Sequence, residues 1–360
     1  MRNSLVHVLR VCFTSQISSR YIIYIIVMCT VLILLLEKTH LDNINNQQQQ
    51  QQQNLYREQA SNMADRELQE QIRQFYQTSN VDTTLHNITE QNRFTLILQT
   101  YNRTDILVRL LNHYSAVTRL DKIIVVWNNI DELPPFELWM KFAPHPVPVV
   151  FLRQEENKMR NRLKPFSEIE TEAVLIIDDD LMASANDINF ALSIWQQFPD
   201  FIVGFVPRKH ILSTSGVYTY GSFELETEPA VMGRLPMYSM VLIGAAFVST
   251  KYLRMFEEVP PEVHNMIDDT ENCDDISFNV MVADHLRTRG TPQCPGIYVK
   301  PRDLRNLEKD AMSGYIGMWH HADHMLERSY CINKLSHIYN GLPLLYSNIQ
   351  VSQFHPYHND

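Results

Sequence analysis

From Phe94 onward the chain runs in short apolar stretches that end abruptly in polar residues. Phe94-Thr95-Leu96-Ile97-Leu98 is followed by Gln99-Thr100-Tyr101-Asn102-Arg103, and Ile123-Ile124-Val125-Val126-Trp127 by Asn128-Asn129. Val149-Val150-Phe151-Leu152 precedes the basic segment Asn157-Lys158-Met159-Arg160-Asn161-Arg162. The fourth run, Ala173-Val174-Leu175-Ile176-Ile177, ends in Asp178-Asp179-Asp180. Continuous β-branched runs of this length predict strands covered on both faces. Between the first two, Ile106, Leu107, Leu110, Leu111 and Tyr114 recur at helical spacing. Ser184-x-x-Asp187 has the form of a helix start, and Ile188, Ala191, Leu192 and Trp195 follow on one helical face. Strands alternating with helices predict a parallel, doubly wound sheet, with a ligand crevice along the carboxyl ends of its strands.

The alternation then loosens into α+β, so the whole sheet is expected to be mixed. Residues 201–206 and 240–245 read as buried strands, with Gly216, Gly221 and Gly233 marking turns between them. Asn272-Cys273-Asp274-Asp275 precedes Ile276, Val280 and Ala283 at helical spacing, which puts two acids at a helix N-terminus. Acids are ordinary there, stabilised by the helix macrodipole, so the local pattern by itself requires no ligand.

Residues 1–92 follow a different pattern. Arg2, Arg10 and Arg20 precede residues 21–36, which carry no charge. At 1.5 Å per residue this span reaches about 24 Å, near the thickness of an early-secretory bilayer. It predicts a single-pass signal anchor with a cytoplasmic tail at 1–20 and a luminal remainder, a type II protein of the endoplasmic reticulum or Golgi membrane. Glu37-Lys38-Thr39-His40 offers no small-x-small cleavage site, which disfavours a cleaved signal peptide. Residues 37–92 are polar, with a glutamine run at 47–53, and read as a luminal stem before a catalytic domain at 93–360. Asn87-Ile88-Thr89 is an N-glycosylation sequon. A second, Asn102-Arg103-Thr104, lies in a strand-end turn expected to be too enclosed for a glycan.

Cys12 and Cys29 belong to the tail and anchor; Cys273, Cys294 and Cys331 are luminal. Three luminal thiols leave one unpaired, and their spacing does not choose which. The formal net charge of −10 argues against nucleic acid as a partner. It leaves room for a smaller anion, because Arg103, Arg160, Arg162, Lys164, Arg208, Lys209 and Arg328 can supply local cations.

Three adjacent carboxylates repel one another, and a hard divalent cation offsets that cost. Magnesium or manganese held by one or two carboxylates keeps positions free for phosphate oxygens. A strand ending in Asp178-Asp179-Asp180 therefore suits a nucleotide-sugar transferase, the other reading being an acidic loop that merely caps the next helix.

The six segments at 99–103, 125–129, 157–162, 178–180, 272–275 and 328–334, in this order, resemble the C-terminal glycosyltransferase domain of the exostosin family. The resemblance covers residues 93 to about 355; the loops at 224–237 and 285–294 match no such pattern. It implies a GT-A-type nucleotide-sugar transferase fold, an α/β architecture with a doubly wound mixed sheet. It also implies retaining α-1,4 transfer of GlcNAc or GalNAc from a UDP-N-acetylhexosamine. The acceptor would be a glucuronate-terminated glycan, in the proteoglycan linkage region or a heparan sulfate precursor. Carried over, the donor site comprises Gln99, Arg103, Asn128, Asn157, Arg162, Asp178, Asp179, Asp274, Asp275 and Arg328. Asp180 becomes the ligand of manganese, with magnesium as the alternative, and Asp275 the catalytic carboxylate. The family pattern pairs Cys273 with Cys331, leaves Cys294 free and is compatible with a homo-oligomer. Asn and Gln suit uracil and ribose edges, Arg suits diphosphate, and a metal offsets charge on the departing UDP. The rivals are a catalytically silent glycan-binding or partner-stabilising subunit and a metal-dependent phosphohydrolase. Intact Asp180, Asp275 and Arg328 weigh against the first, and the second has no use for the Asn and Arg set.

Overall fold

The computed structural model describes residues 93–134, 146–222, 237–308 and 323–353, all within the unit Ser79–Asp360. The expected tail, anchor and stem, the Asn87 sequon and Gly233 lie outside the described residues. Among the described residues no helix is long and apolar enough to cross a membrane.

The first apolar run forms β1 (Phe94–Thr100), and α1 (Thr104–Tyr114) buries the predicted face of Ile106, Leu107, Leu110, Leu111 and Tyr114. β2 (Leu120–Trp127), β3 (Val149–Arg153), a 3-10 turn (Met159–Leu163) and β4 (Ala173–Asp178) follow. These four strands are parallel neighbours in the order β4-β1-β2-β3. Their register brings Thr100 opposite Trp127, Trp127 opposite Arg153, and Gln99 opposite Asp178. All four polar ends therefore emerge along one edge, because apolar runs of matched length are covered on both faces and the next residues cannot be. Leu98, Val125 and Ile176 are essentially inaccessible to solvent.

β5 (Leu181–Ala183) leads to α2 (Ala185–Gln197), whose start is the expected cap: Ser184 Oγ accepts from Asp187 N at 3.1 Å. The Asp187 carboxylate is itself buried and accepts from Arg302 N and Asp303 N, each at 3.0 Å. Next come β6 (Ile202–Gly204), β7 (Pro207–Leu212) and β8 (Tyr218–Ser222). The single strand expected at 240–245 divides into β9 (Met240–Val241) and β10 (Ala245–Ser249). β9 joins a small sheet ordered β8-β7-β9, whereas β10 enters the main sheet antiparallel between β4 and β6. The chain changes sheets between them: Leu242 N donates to Val206 O, and the Gly244 carbonyl accepts from Asp178 N. A hydrophobic run has no signal for such a crossing, which is why periodicity reads it as one strand.

α3 (Thr250–Glu257), α4 (Pro261–Thr270), α5 (Asp274–Thr288), β11 (Gly296–Val299), β12 (Leu304–Asn306), α6 (His324–Ile338) and β13 (Gln350–Val351) complete the described order. The main sheet is mixed, ordered β13-β11-β6-β10-β4-β1-β2-β3. β12 pairs with β5, and Leu307 N donates to Asp180 O at 2.6 Å, fixing the backbone just after the Asp triplet.

Candidate active site

The ends of β1, β2 and β4 meet the 3-10 turn and the starts of α5 and α6 at one edge. Leaving β1, Asn102 adopts φ 60° and its N–H donates to Asn129 Oδ1 at 2.7 Å. This tight turn sends Arg103 back under the strand ends, where Nη1 reaches Asp179 Oδ1 at 2.7 Å and Asp180 Oδ2 at 3.1 Å. Thr100 Oγ1 donates to the other Asp179 oxygen at 2.7 Å. Burial raises the carboxyls of Asp179 and Asp180 above the usual carboxylate range against the pull of Arg103, and repulsion from neighbouring carboxylates adds to the rise.

A second cluster centres on Arg162. Its Nε donates to Asp274 Oδ2 at 2.7 Å, and Nη1 pairs with Asp178. Asp178 sits deep in the crevice yet keeps 40% of its side-chain surface open. Its carboxyl is pushed up to about 6, by burial first and by Asp180, Asp274 and Asp275, against Arg162. Gly244 passes so close that a Cβ there would collide with the Asp178 carboxylate.

Arg328 forms the third cluster. Its Nη2 pairs with Asp275 Oδ2, and Nη1 donates to Asn272 Oδ1 at 3.1 Å. The guanidinium carbon lies 4.6 Å from the centre of the Tyr220 ring. Burial alone would raise the Asp275 carboxyl, but Arg328 and Arg162 outweigh it and hold it below the usual carboxylate range. Asp275 Oδ1 also accepts from Ile276 N at 2.7 Å, so this acid sits in the first turn of α5 as well as pairing with Arg328. The Cys273–Cys331 disulfide ties the residue before Asp274 to the helix bearing Arg328, and Cys294 is free and buried.

Asn128 and Asn157 meet beside these clusters. Asn128 Nδ2 donates to Asn157 Oδ1 at 2.9 Å, and Asn128 Oδ1 accepts from Asn161 Nδ2 at 3.0 Å. Gln99 lies at the end of β1, with its buried Oε1 unbonded. Arg160, counted above as a cation for an anion, is instead engaged by Asp268 through bonds of 2.7 and 3.0 Å. Asn102 is exposed, which corrects the expected enclosure of its sequon. Among the described residues, no group of three or more His, Cys, Asp or Glu is arranged to hold a metal alone.

Thr100, Asn129, Asn272, Tyr220 and Gly244 join the site without having been singled out from sequence. The first three stand inside or beside the polar motifs, so adjacency was their signal. Tyr220 and Gly244 arrive from separate stretches with no local cue.

Fold and site together define an α/β protein whose strand-end crevice sets five carboxylates against three buried guanidiniums. The glycosyl transferase family 64 domain matches residues 94–355. The chain belongs to this family, the exostosin family, and is a glycosyltransferase. It is 58% identical over 267 residues to Exostosin-like 2 of Homo sapiens, covering 74% of this chain and 79% of that protein. It is 36% identical over 254 residues to Exostosin-2 of Mus musculus, covering 70% of this chain and 33% of that protein. Glycosylinositol phosphorylceramide mannosyl transferase 1 of Arabidopsis thaliana is 28% identical over 272 residues, or 71% of this chain and 75% of that protein.

Proposed function

We propose that the chain transfers N-acetylhexosamine, as GlcNAc or GalNAc, from a UDP-sugar to a glucuronate-terminated glycan, with an α-1,4 product. The acceptor is the proteoglycan linkage region or a heparan sulfate precursor. The observation that carries this reading is the convergence of Arg103, Arg162 and Arg328, each paired with carboxylates, on one strand-end edge. Arg103 and Arg162 suit a diphosphate, and Asn128 with Asn157 suits the edges of uracil and ribose. Membership of glycosyl transferase family 64 supports glycosyl transfer, whereas 28% identity to a protein named as a mannosyl transferase leaves the sugar to be tested.

Asp180 is the proposed manganese ligand. The carboxyls of Asp178 and Asp180 are held above the usual range by burial first and then by neighbouring carboxylates, and a divalent cation would relieve that repulsion. The lack of a three-ligand cluster among the described residues suits a cation completed by phosphate oxygens. Such a cation supplies charge neutralisation at the departing diphosphate. Asp275, ionised and held by Arg328, is the group for the anomeric carbon, either as nucleophile or as stabiliser of a cationic centre. On the same reading residues 21–36 anchor the chain in the endoplasmic reticulum or Golgi membrane, supported by their uncharged length.

The test is a panel of UDP-sugars against glucuronate-terminated oligosaccharides, read by UDP release and by NMR of the product anomer. UDP release with a UDP-N-acetylhexosamine and an α-linked product is expected. No release with any member would favour a silent glycan-binding subunit, and a β-linked product would refute retention. Calorimetric titration of UDP with and without manganese checks the metal: Asp180→Ala is expected to lose the manganese-dependent part. Unchanged affinity would remove Asp180 from that role.

A further inference from the structure

Among the described residues β8 is an edge strand of the small sheet, with β7 as its strand partner. An unpaired strand edge exposes main-chain donors and acceptors that need partners. Tyr218 and Tyr220 share one parity, and their free main-chain groups turn to α6 rather than to another strand. Tyr218 N donates to Asn333 Oδ1 at 3.0 Å, and Asn333 Nδ2 returns a bond to Tyr218 O at 2.7 Å. Tyr220 N donates to Ser329 Oγ at 3.0 Å. Ser329 and Asn333 stand one helical turn apart, and Asn333 Nδ2 also bonds Ser329 O at 2.7 Å. Two side chains of α6 thus do for β8 what a neighbouring strand would do.

The consequence lies one residue away. Tyr220, so held, sets its ring 4.6 Å from the Arg328 guanidinium, and Arg328 pairs with Asp275. Both Tyr220 and Arg328 are buried, at 8% and 6% exposure, so ring and cation have little freedom to drift apart. A guanidinium with a carboxylate at its edge and an aromatic face beneath it is constrained in tilt as well as in position.

We propose that Ser329 and Asn333 are positioning residues, which pin the edge of β8 and so set the Tyr220 ring that orients Arg328 toward Asp275. The inference rests on the active-site reading above. It gives a catalytic consequence to hydrogen bonds that a fold description would count only as stability.

Full-length chain carrying Asn333→Ala, Ser329→Ala, Tyr220→Leu and the Tyr220→Leu/Asn333→Ala pair is compared with wild type. The readouts are kcat and KM with UDP-GlcNAc and a glucuronate-terminated acceptor, UDP affinity by calorimetry with manganese, and the thermal midpoint. Expected is a fall of about tenfold in kcat for Asn333→Ala, the scale of one coupled contact, with UDP affinity held. The double variant is expected to be no slower than Tyr220→Leu alone, because both changes remove the same constraint. Additive losses, or a lowered thermal midpoint with wild-type kcat, would reduce Asn333 to a structural role and overturn the proposal. Should Asn333→Ala not fold, Ser329→Ala removes one bond to β8, together with the bond from Ser329 Oγ to Met325 O within α6, and decides by the same criteria. Asp275→Asn is the companion arm. If it turns over normally, the active-site reading fails; if it is inactive while Asn333→Ala equals wild type, only this inference fails.

Discussion

At the scale of single residues, the site is governed by how few of its charges meet water. Asp275 and Arg328 are 6% exposed each, so each is the other's principal solvent. Asp275→Asn keeps the shape and removes the charge. It is expected to bind UDP normally and to lower turnover by at least about a hundredfold, the scale of one lost electrostatic stabiliser. Single-turnover assays measure this, and near-normal rates would take Asp275 out of the chemistry. Arg328→Met instead leaves a buried carboxylate unpaired, with an expected loss of about 3–5 kcal/mol at neutral pH in denaturant titrations. The pH dependence separates the two proteins. In wild type the depressed Asp275 carboxyl contributes stability above the unfolded value of about 3.9, lost as pH falls through its lower folded value. In Arg328→Met, burial opposed only by Arg162 and the Ile276 N–H leaves that carboxyl higher than in wild type, so the deficit should shrink as acid protonates it. A deficit independent of pH would show that the pair is not what Arg328 contributes.

At the scale of elements, catalytic side chains are aimed by short irregular joints between regular pieces. Glu271 and Cys273, at φ 47° and 69°, turn the chain sharply from α4 into α5, and the disulfide holds that corner against α6. Asn272, between them, accepts from both Cys273 N and Arg328. Gly244 does the equivalent work where the chain changes sheets, since only hydrogen fits against the Asp178 carboxylate. Gly244→Ala is therefore expected to displace Asp178. The outcome should be at least tenfold weaker UDP binding and about 1–3 kcal/mol of lost stability, the cost of overpacking. Calorimetry and thermal unfolding report the two effects, and wild-type UDP affinity would mean that Asp178 tolerates displacement.

At the scale of the molecule, an apolar core packs part of the main sheet against helices α3 to α6, two of which carry site residues. Cys294 lies in it at 6% exposure, and burial pushes its thiol up to about 12. The nucleophile in thiol chemistry is the thiolate, so this cysteine should resist maleimide in the folded protein. Its labelling rate is expected to follow global unfolding across a denaturant series, giving a probe of the whole core. Rapid labelling in native buffer would show local opening around β11 instead.

Much of this protein was legible in the chain itself. Strands β1 to β4 and helices α1 and α2 follow from local patterns, because burial on two faces demands continuous apolar runs and one-sided burial demands helical spacing. The crevice was legible for the same reason: polar groups that directly follow buried strands have to leave the apolar core at the strand ends, where Thr100, Asn128 and Asp179 stay buried among polar partners. What the pattern could not supply is which cation meets which anion. Arg160 and Arg162 look alike in sequence, yet Asp268 takes one and Asp178 with Asp274 takes the other. Tyr220 and Gly244 carry no local mark, because a ring beneath a guanidinium and a missing side chain beside a carboxylate are defined by partners distant in sequence. Local sequence determined the elements and the edge at which they expose polar groups. Tertiary packing decided the pairings, since charge and shape complementarity exist only between segments the fold has brought together.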